Sequence, residues 1–518
     1  MITTMINGLI LWADDEIDLL KPHIMFLNAK GYEVVTVSNG RDALDAVAER
    51  NFNLVILDEN MPGLSGLETL SRIKISHPDL PVIMITKSEE ENIMNQAIGN
   101  KIADYLIKPV NPNQILLSIK KNLHSGTLVS QKATHDYQQE FQKIGSMINN
   151  ADSFEDWCEV YRSLVHWELT LASADTNLDE LLKMQKVEAN STFCKYVRKN
   201  YEKWITTDQH PLMSHEIFKS KVFPLLDAGE KVFFIVIDNF RLDQWRAVKP
   251  LFSEYFNIDD DDLYCSILPT ATQYARNAIF SGLMPIDIAR MFPDLWVDED
   301  EDEGKNLNES PLIQTILDRY RKPYKFSYNK INDSAAGEKL LQNFRNLDNY
   351  DLNVIVLNFV DMLSHARTES KMIRELAYSD AAYRSLTESW FKHSSALEII
   401  KRIAEKNCRV VLTTDHGTIC VDNPIKVIGD KGVNTNLRYK VGKNLSYNAK
   451  QVYEVKKPQA FGLPAPNLSS TYIFAYDRDF FAYPNNYNHY VQYYSDTFQH
   501  GGISMEEMLV PVVTMTKK

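Results

Sequence analysis

Seven residues able to hold divalent metal ions, Asp238, Thr272, Asp361, His365, Asp415, His416 and His500, each stand beside or just after an apolar run. Short apolar runs read as buried strands, and polar residues at their carboxyl ends are where an α/β sheet gathers its ligands. Buried-strand patterns at Val232 to Ile237, Val354 to Leu357 and Val410 to Thr413, separated by helical stretches such as Arg374 to Lys406, predict an α/β domain over residues 229–518. Asp361 and His365 are four apart and share one face of a helix, whereas the adjacent Asp415 and His416 suit a loop leaving a strand. The glycines of QHGG let the backbone around His500 come close to a site.

A second polar set lies upstream. Apolar runs at Leu9 to Ala13, Val34 to Val37, Leu54 to Leu57, Val82 to Ile85 and Tyr105 to Ile107 alternate with helical patterns. They predict a doubly wound, flavodoxin-like sheet with five strands and five helices in residues 1–124. Asp14, Asp15 and Asp58 fall at strand ends, and three carboxylates in one place repel one another unless a cation neutralises them. A hard octahedral ion such as Mg2+ is the natural occupant. Asp58 ends LVILD and precedes ENMPG, and with Thr86 and the pair Lys108-Pro109 it resembles the receiver domain of two-component response regulators. The resemblance implies that Asp58 is the phospho-acceptor and that the Asn60 carbonyl is a further Mg2+ ligand. It also makes Thr86 and Tyr105 the switch residues and Lys108 the cation for the phosphoryl oxygens, with Pro109 in a cis bond.

In residues 125–228 the strand pattern stops and helical stretches predict a small bundle, with N-terminal capping signatures at Ser153 to Asp156 and Thr176 to Asp179. Trp157, Tyr161, Trp167, Phe193, Tyr196 and Trp204 read as packing aromatics. A chain of 518 residues accommodates three such domains, which makes the whole a multidomain α/β protein.

The segments IVIDNF, LPTATQYARNAIFSGL, NFVDMLSH, TTDHG and FQHGG, in that order, resemble the PglZ branch of the alkaline phosphatase superfamily. The pairing of the two domains resembles the PorX type of response regulator, associated with type IX secretion, over nearly the whole chain. The resemblance implies two Zn2+ ions, one held by Asp238, Asp415, His416 and the Thr272 hydroxyl, the other by Asp361, His365 and His500. Manganese is the alternative metal. Three ligand carboxylates against two divalent ions leave one positive charge, which a threonine alkoxide would cancel. A bound metal lowers the pKa of a hydroxyl, and LPTATQYARNAIFSGL resembles the nucleophile segment of nucleotide pyrophosphatases and phosphodiesterases, which implies Thr272 rather than Thr270 as the nucleophile of a phosphodiesterase acting on nucleotides or oligonucleotides. Arg276 is expected either to contact the substrate phosphate or to pair with an acidic neighbour, and Asn277 is a similar undecided case. The alternative to an enzyme is a metal-binding signalling scaffold that docks a secretion-motor or sigma-factor partner. A phosphomutase or sulfatase reading lacks its own signatures, such as Cys-x-Pro-x-Arg. A receiver further implies a sensor histidine kinase and a homodimer formed on phosphorylation, with the linker helices carrying the signal.

Composition narrows the partners. A net charge of −13 argues against a protein that mainly coats nucleic acid, because such binding is driven by Lys and Arg. The local excess of Lys431, Arg438, Lys440, Lys443, Lys450 and Lys456 over Asp430 and Glu454 reads as a solvated loop or a phosphate-attracting rim. The acidic run Asp298 to Glu303 reads as a solvated surface loop. No stretch approaches the roughly 18 apolar residues of a membrane span, and MITTMINGLILWADDE lacks the features of an export signal, so a cytoplasmic protein is expected. The odd number of dispersed cysteines, Cys158, Cys194, Cys265, Cys408 and Cys420, reads as reduced packing residues.

Overall fold

The computed structural model describes residues 7–87, 98–99, 101–174, 178–297, 306–429, 433–465, 467 and 469–518. The chain divides into two compact units, residues 1–135 and 136–518, and the helix Pro112–Asn150 belongs to both.

In the first unit β1 (Gly8–Ala13), β2 (Tyr32–Val37), β3 (Leu54–Asp58), β4 (Val82–Thr86) and β5 (Asp104–Ile107) form a parallel sheet in the order β2-β1-β3-β4-β5. Alternate residues feed two cores. Leu11, Val55, Leu57, Val82 and Met84 pack on one face with Val47, Leu70 and Ile73, while Ile10, Trp12, Ile56, Ile83 and Ile85 pack on the other with Leu27, Ile115 and Ile119. The order reverses between β1 and β3, so their carboxyl ends open the crevice where a doubly wound sheet binds ligands. The expected flavodoxin-like fold is what forms; the helix predicted between β4 and β5 lies largely outside the described residues.

The second unit begins with a bundle of Pro112–Asn150, Phe154–Ala174 and Asp179–Thr206. At Ser153 the predicted cap forms: Ser153 Oγ accepts from the Asp156 amide at 3.1 Å and Asp156 Oδ2 accepts from the Ser153 amide at 3.0 Å. Thr176, expected as the next cap, lies outside the described residues. Trp157, Tyr161, Phe193 and Trp204 are buried, as packing aromatics should be.

Six strands form the main sheet of this unit. β6 (Val232–Ile237), β8 (Phe326–Ile331), β9 (Leu352–Leu357) and β10 (Arg409–Thr413) run parallel in the order β10-β6-β9-β8. Beyond β10 the strand Leu509–Lys517 pairs antiparallel both with it and with β7 (Phe256–Cys265) at the sheet edge. β6, β9 and β10 match the predicted buried runs; β7 does not read as a strand because Asp259, Asp260, Asp261 and Asp262 interrupt its apolar character. Those acids are balanced instead. Asp260 pairs with Lys221 at 2.5 Å, Asp261 with Arg246 and Lys249 at 2.5 and 2.7 Å, Asp262 with Arg162 at 3.4 Å and Asp259 with Arg409 at 3.3 Å.

One expectation is corrected. The basic stretch around residues 426–457 is not merely a solvated loop or rim, because Tyr439–Gly442 and Val452–Val455 flank Thr471–Ala475 in a three-stranded sheet. Arg438 and Lys440 are buried there, Arg438 on Glu507 at 2.6 Å and Lys440 donating to the Asn434 carbonyl at 2.8 Å. Burial of these cations is set by partners distant in sequence. Lys431 and the acidic run Asp298 to Glu303 lie outside the described residues. Cys158, Cys194, Cys265 and Cys408 are buried free thiols and Cys420 is a half-buried one. Among the described residues no helix is long and apolar enough to cross a membrane.

Candidate metal centre and phosphorylation site

At the carboxyl ends of β6 and β10, Asp238, Asp415 and His416 converge, with one ligand atom from each lying within 4.8 Å of the others. All three are buried. A second group, Asp361, His365 and His500, meets the same criterion. Asp361 and His365 lie on one face of the helix Phe359–Glu369, with His365 Nε2 3.4 Å from Asp361 Oδ2, and His500 Nε2 is 3.7 Å from Asp361 Oδ1. The two groups differ in access, since the His365 side chain is 64% exposed while those of Asp415 and His416 are fully buried. The His416 and His500 rings stack at 4.2 Å between centroids, so the groups adjoin.

Thr272 Oγ1 lies 3.1 Å from His416 Nε2 and 3.4 Å from Asp238 Oδ1. It is the first residue of the helix Thr272–Ser281, whose N-cap, Ala271, offers no side-chain acceptor to the Thr272 and Gln273 amides, while the Tyr274 amide donates to the Ala271 carbonyl at 2.9 Å. Those amides and the helix dipole favour an anion there.

The donors fit divalent cations. Asp415 Oδ2 is buried with no hydrogen-bond partner among the described residues, an arrangement that is costly unless a cation completes it. Burial, reinforced by Asp415 and Asp361 and opposed by Arg276, pushes the Asp238 carboxyl up to about 8, which marks negative charge crowded beyond what the protein cations balance. The histidines are oriented for ligation. His416 Nδ1 is 3.0 Å from the Gly417 carbonyl and His500 Nδ1 3.2 Å from that of Thr270; a carbonyl only accepts, so each Nδ1 carries the proton and each Nε2 lone pair faces the site. Burial lowers both imidazoles, that of His500 to about 3, keeping them neutral as a metal requires.

Three supporting residues escape a reading by motif. Asn239 is in the left-handed region, which Asn tolerates, and links the groups: its amide donates to Asp415 Oδ1 at 3.3 Å and its Nδ2 to Asp361 Oδ1 at 3.2 Å. Its only signal is the Asp-Asn pair that leaves a buried strand. Thr270, set aside as nucleophile, clasps the two loops, donating to the Gly502 carbonyl at 2.8 Å and accepting from the Gly501 amide at 3.1 Å. Gly501 sits at φ 121°, a conformation that favours glycine, and a Cβ on Gly502 would lie 2.6 Å from the Ala475 carbonyl oxygen. Glu309 has no local signal at all. It ties down Arg276, whose guanidinium is 1% exposed and reaches Glu309 Oε1 at 2.6 Å and Asp238 Oδ2 at 2.7 Å.

Of its two expected roles, Arg276 therefore takes the pairing with acids. In this structure the guanidinium is engaged by acids on both sides. Asn277, the other candidate contact, is also buried, with its Oδ1 lacking a hydrogen-bond partner among the described residues.

In the first unit, Asp14 and Asp15 follow β1 and Asp58 ends β3, again with ligand atoms within 4.8 Å. Lys108 Nζ reaches Asp14 Oδ2 at 2.9 Å and Asp58 Oδ1 at 2.8 Å, and the Lys108-Pro109 bond is cis. Burial raises the Asp58 carboxyl although Lys108 opposes the shift. Burial works against charge on Lys108, but Asp58 and Asp14 outweigh it and hold the ammonium above its usual range. Thr86 ends β4 and is buried, Tyr105 is half-buried in β5, and Asn60 is exposed two residues after Asp58. The acidic cluster fits a hard cation, which Asp14, Asp15, Asp58 and the Asn60 carbonyl would hold.

The sequence matches the family described as the BREX system PglZ alkaline phosphatase-like domain over residues 217–515. The chain belongs to the PglZ family. It carries in addition a response regulator receiver domain over residues 10–120 and the linker domain of PorX response regulators over 127–205, so it is a PglZ protein of the PorX-type receiver fusion and a two-component response regulator. Curated relatives match the receiver part. The transcriptional regulatory protein ZraR of Klebsiella oxytoca is 32% identical over 26% of this chain and 31% of its own, and SrrA of Staphylococcus aureus 29% identical over 24% and 53%. The chain thus spans about a third to a half of the length of these relatives. Solved receiver structures from Thermotoga maritima (TrrA, 32% identity, TM-score 0.21) and Methanospirillum hungatei (28%, 0.22) cover 22% and 23% of this PglZ protein and 98% and 94% of their own chains.

Proposed function

We propose that this chain is a phosphorylation-controlled dizinc phosphodiesterase, with residues 1–124 as receiver, 125–228 as linker and 229–518 as hydrolase. The observation that carries the reading is Thr272 Oγ1, set at a helix N-terminus within 3.1 Å of His416 Nε2 and 3.4 Å of Asp238 Oδ1. Two divalent ions, when bound, supply a lowered pKa at that hydroxyl and a clamp on the phosphoryl oxygens. Asp238, Asp415, His416 and Thr272 would hold one ion and Asp361, His365 and His500 the other. Thr272 Oγ, having lost its proton to solvent, attacks phosphorus; the new Oγ–P bond forms as the bond to the leaving alcohol breaks, and the alcohol takes up a proton. Water then displaces the threonine from the phosphoryl group, with inversion at each step. The positive end of the helix Thr272–Ser281 favours the anionic phosphoryl group. Nucleotides or oligonucleotides are the substrates this reading favours, and the exposed side at His365 leaves room for a diester chain.

Upstream, Asp58 would take a phosphoryl group from a sensor histidine kinase with Mg2+ in the acidic cluster, Lys108 neutralising the phosphoryl oxygens and Thr86 and Tyr105 registering their arrival. Dimer formation on phosphorylation, a cytoplasmic site of action and a link to type IX secretion complete the proposal. The test is hydrolysis of bis(4-nitrophenyl) phosphate by zinc-loaded wild type and Thr272→Val, with metal content measured on the same samples. Turnover that disappears in a variant retaining its zinc supports the enzyme. Absence of turnover in zinc-replete wild type favours a scaffold.

A further inference from the structure

The helix Asp179–Thr206 places Lys186, Asn190, Cys194 and Tyr201 on one face, at spacings of four, four and seven residues. Each directs a polar atom at a segment that carries or abuts a candidate metal ligand. Tyr201 Oη accepts from the Leu268 amide at 2.7 Å, four residues before Thr272. Asn190 accepts from the Met505 amide at 2.8 Å and donates to Glu506 Oε2 at 2.9 Å. Cys194 Sγ donates to the Ile503 carbonyl at 3.3 Å, and Lys186 Nζ lies 3.5 Å from Glu506 Oε1.

The contacts continue inward. Glu507, next to Glu506, accepts from the Gly502 amide at 2.9 Å, the Gly502 carbonyl accepts from Thr270, and the Thr270 carbonyl fixes His500 Nδ1. Leu268 opens the turn that contains Thr270 and leads into Thr272. One rigid helix therefore grips both loops, the one bearing the nucleophile and the one bearing His500, at points about three turns apart. Packing alone does not require these polar groups. Tyr201 already stacks its ring on Phe461, and Phe193 and Trp157 fill the bundle core without hydroxyls.

We propose that Tyr201 and Asn190 are positioning residues of the hydrolase centre, so that the linker helix is a working part of the site rather than a tether. This rests on the reading of Thr272 as nucleophile. Without the Tyr201 hydroxyl, the buried Leu268 amide loses its acceptor and the start of the Thr272 loop loses its anchor. Without the Asn190 side-chain amide, the turn behind Gly502 loses its hold on the bundle.

The experiment compares Tyr201→Phe, Asn190→Asp and Phe193→Leu in the full chain, loaded with Co2+ as a spectroscopic probe and with Zn2+ for turnover of bis(4-nitrophenyl) phosphate. Phe193→Leu, at a ring that packs on Trp157 and Tyr196 within the bundle, is expected to lower bundle stability and serves as the control. Tyr201→Phe is expected to bind as much metal as wild type, to shift the Co2+ visible spectrum, and to lose about tenfold in kcat with KM within about twofold, at the lower end of the effect of residues that orient ligands from behind. Asn190→Asp, which keeps the acceptor for Met505 but sets a carboxylate against Glu506, is expected to weaken one of the two bound ions by about tenfold. Phe193→Leu is expected to keep the wild-type spectrum and kcat at a lower Tm. A wild-type Co2+ spectrum and metal affinity in both positioning variants, or an equal change in Phe193→Leu, overturns the proposal. Should Tyr201→Phe fail to fold, Asn190→Asp decides on the same readouts. If zinc-loaded wild type itself shows no turnover, the phosphodiesterase reading fails, while the Co2+ spectra and affinities still decide whether the helix positions the metal groups.

Discussion

Replacing Arg276 by methionine removes the one cation lodged between Asp238 and Glu309 and keeps much of its volume. Deleting one partner of a buried ion pair costs about 3–5 kcal/mol, because the remaining charge stays buried without compensation. Two features place this variant at the low end. Glu309 retains Lys330 at 2.9 Å, and Asp238, whose carboxyl burial holds up at about 8 even beside Arg276, is already largely protonated at neutral pH and leaves no new bare charge. The expected loss for the metal-free protein is therefore ~3 kcal/mol, or up to ~6 °C in Tm at ~2 °C per kcal/mol for a unit this large. Zinc changes the comparison, since a divalent ion beside Asp238 and Asp415 supplies the charge that Arg276 gave. Differential scanning fluorimetry of wild type and Arg276→Met, in EDTA and again in excess Zn2+, should show a gap that zinc narrows. Metal-free proteins that melt within ~1 °C of each other, or a gap that zinc widens, would refute the reasoning.

Further expectations follow from the same contacts. Thr270→Val keeps the shape but strands the Gly501 amide and Gly502 carbonyl, and should weaken zinc retention about 10- to 100-fold in a chelator competition. Asp58→Asn should abolish acid-labile phosphorylation by acetyl phosphate on a phosphate-affinity gel without altering zinc content. Asp477, whose Oδ1 is buried without a hydrogen-bond partner among the described residues, has its carboxyl pushed up to about 7 by burial. A raised carboxyl contributes stability that is full below the unfolded value near 4 and is lost as pH rises through 7, at ~1.4 kcal/mol per pH unit. Asp477→Asn, which also suits the left-handed backbone there, should therefore raise Tm more at pH 8 than at pH 4, and an equal rise at both would count against it.

Much of the fold was readable because buried parallel strands announce themselves as apolar runs, and Asp58, Asp238 and Asp415 stand at or directly after the ends of such runs. The fold class of both α/β parts follows from that alternation. What stayed hidden is what depends on distant partners. β7 looks like an acidic loop until Lys221, Arg246, Lys249 and Arg162 are seen around it. Arg438 and Lys440 count as surface charge until Glu507 and the Asn434 carbonyl bury them. The pairing of Arg276 with Glu309 is one that no spacing rule announces. The gathering of Asp361, His365 and His500 rests in part on a helical spacing that was legible, whereas the clasp made by Thr270 depends on backbone atoms that carry no sequence signature.

The strand Leu509–Lys517 lies between β7 and β10, so among the described residues the Cys265 edge and the Thr413 edge of the main sheet meet through it. Its pairing with β7 joins Leu509 to Cys265, across most of the length of the domain. During synthesis the sheet must therefore wait in two pieces, each with an unpaired flank, until this strand emerges from the ribosome, and closure of so long a loop is slow. A chain lacking the strand Leu509–Lys517 would keep those flanks as templates for strand exchange between copies, so this strand guards against aggregation as well as closing the sheet.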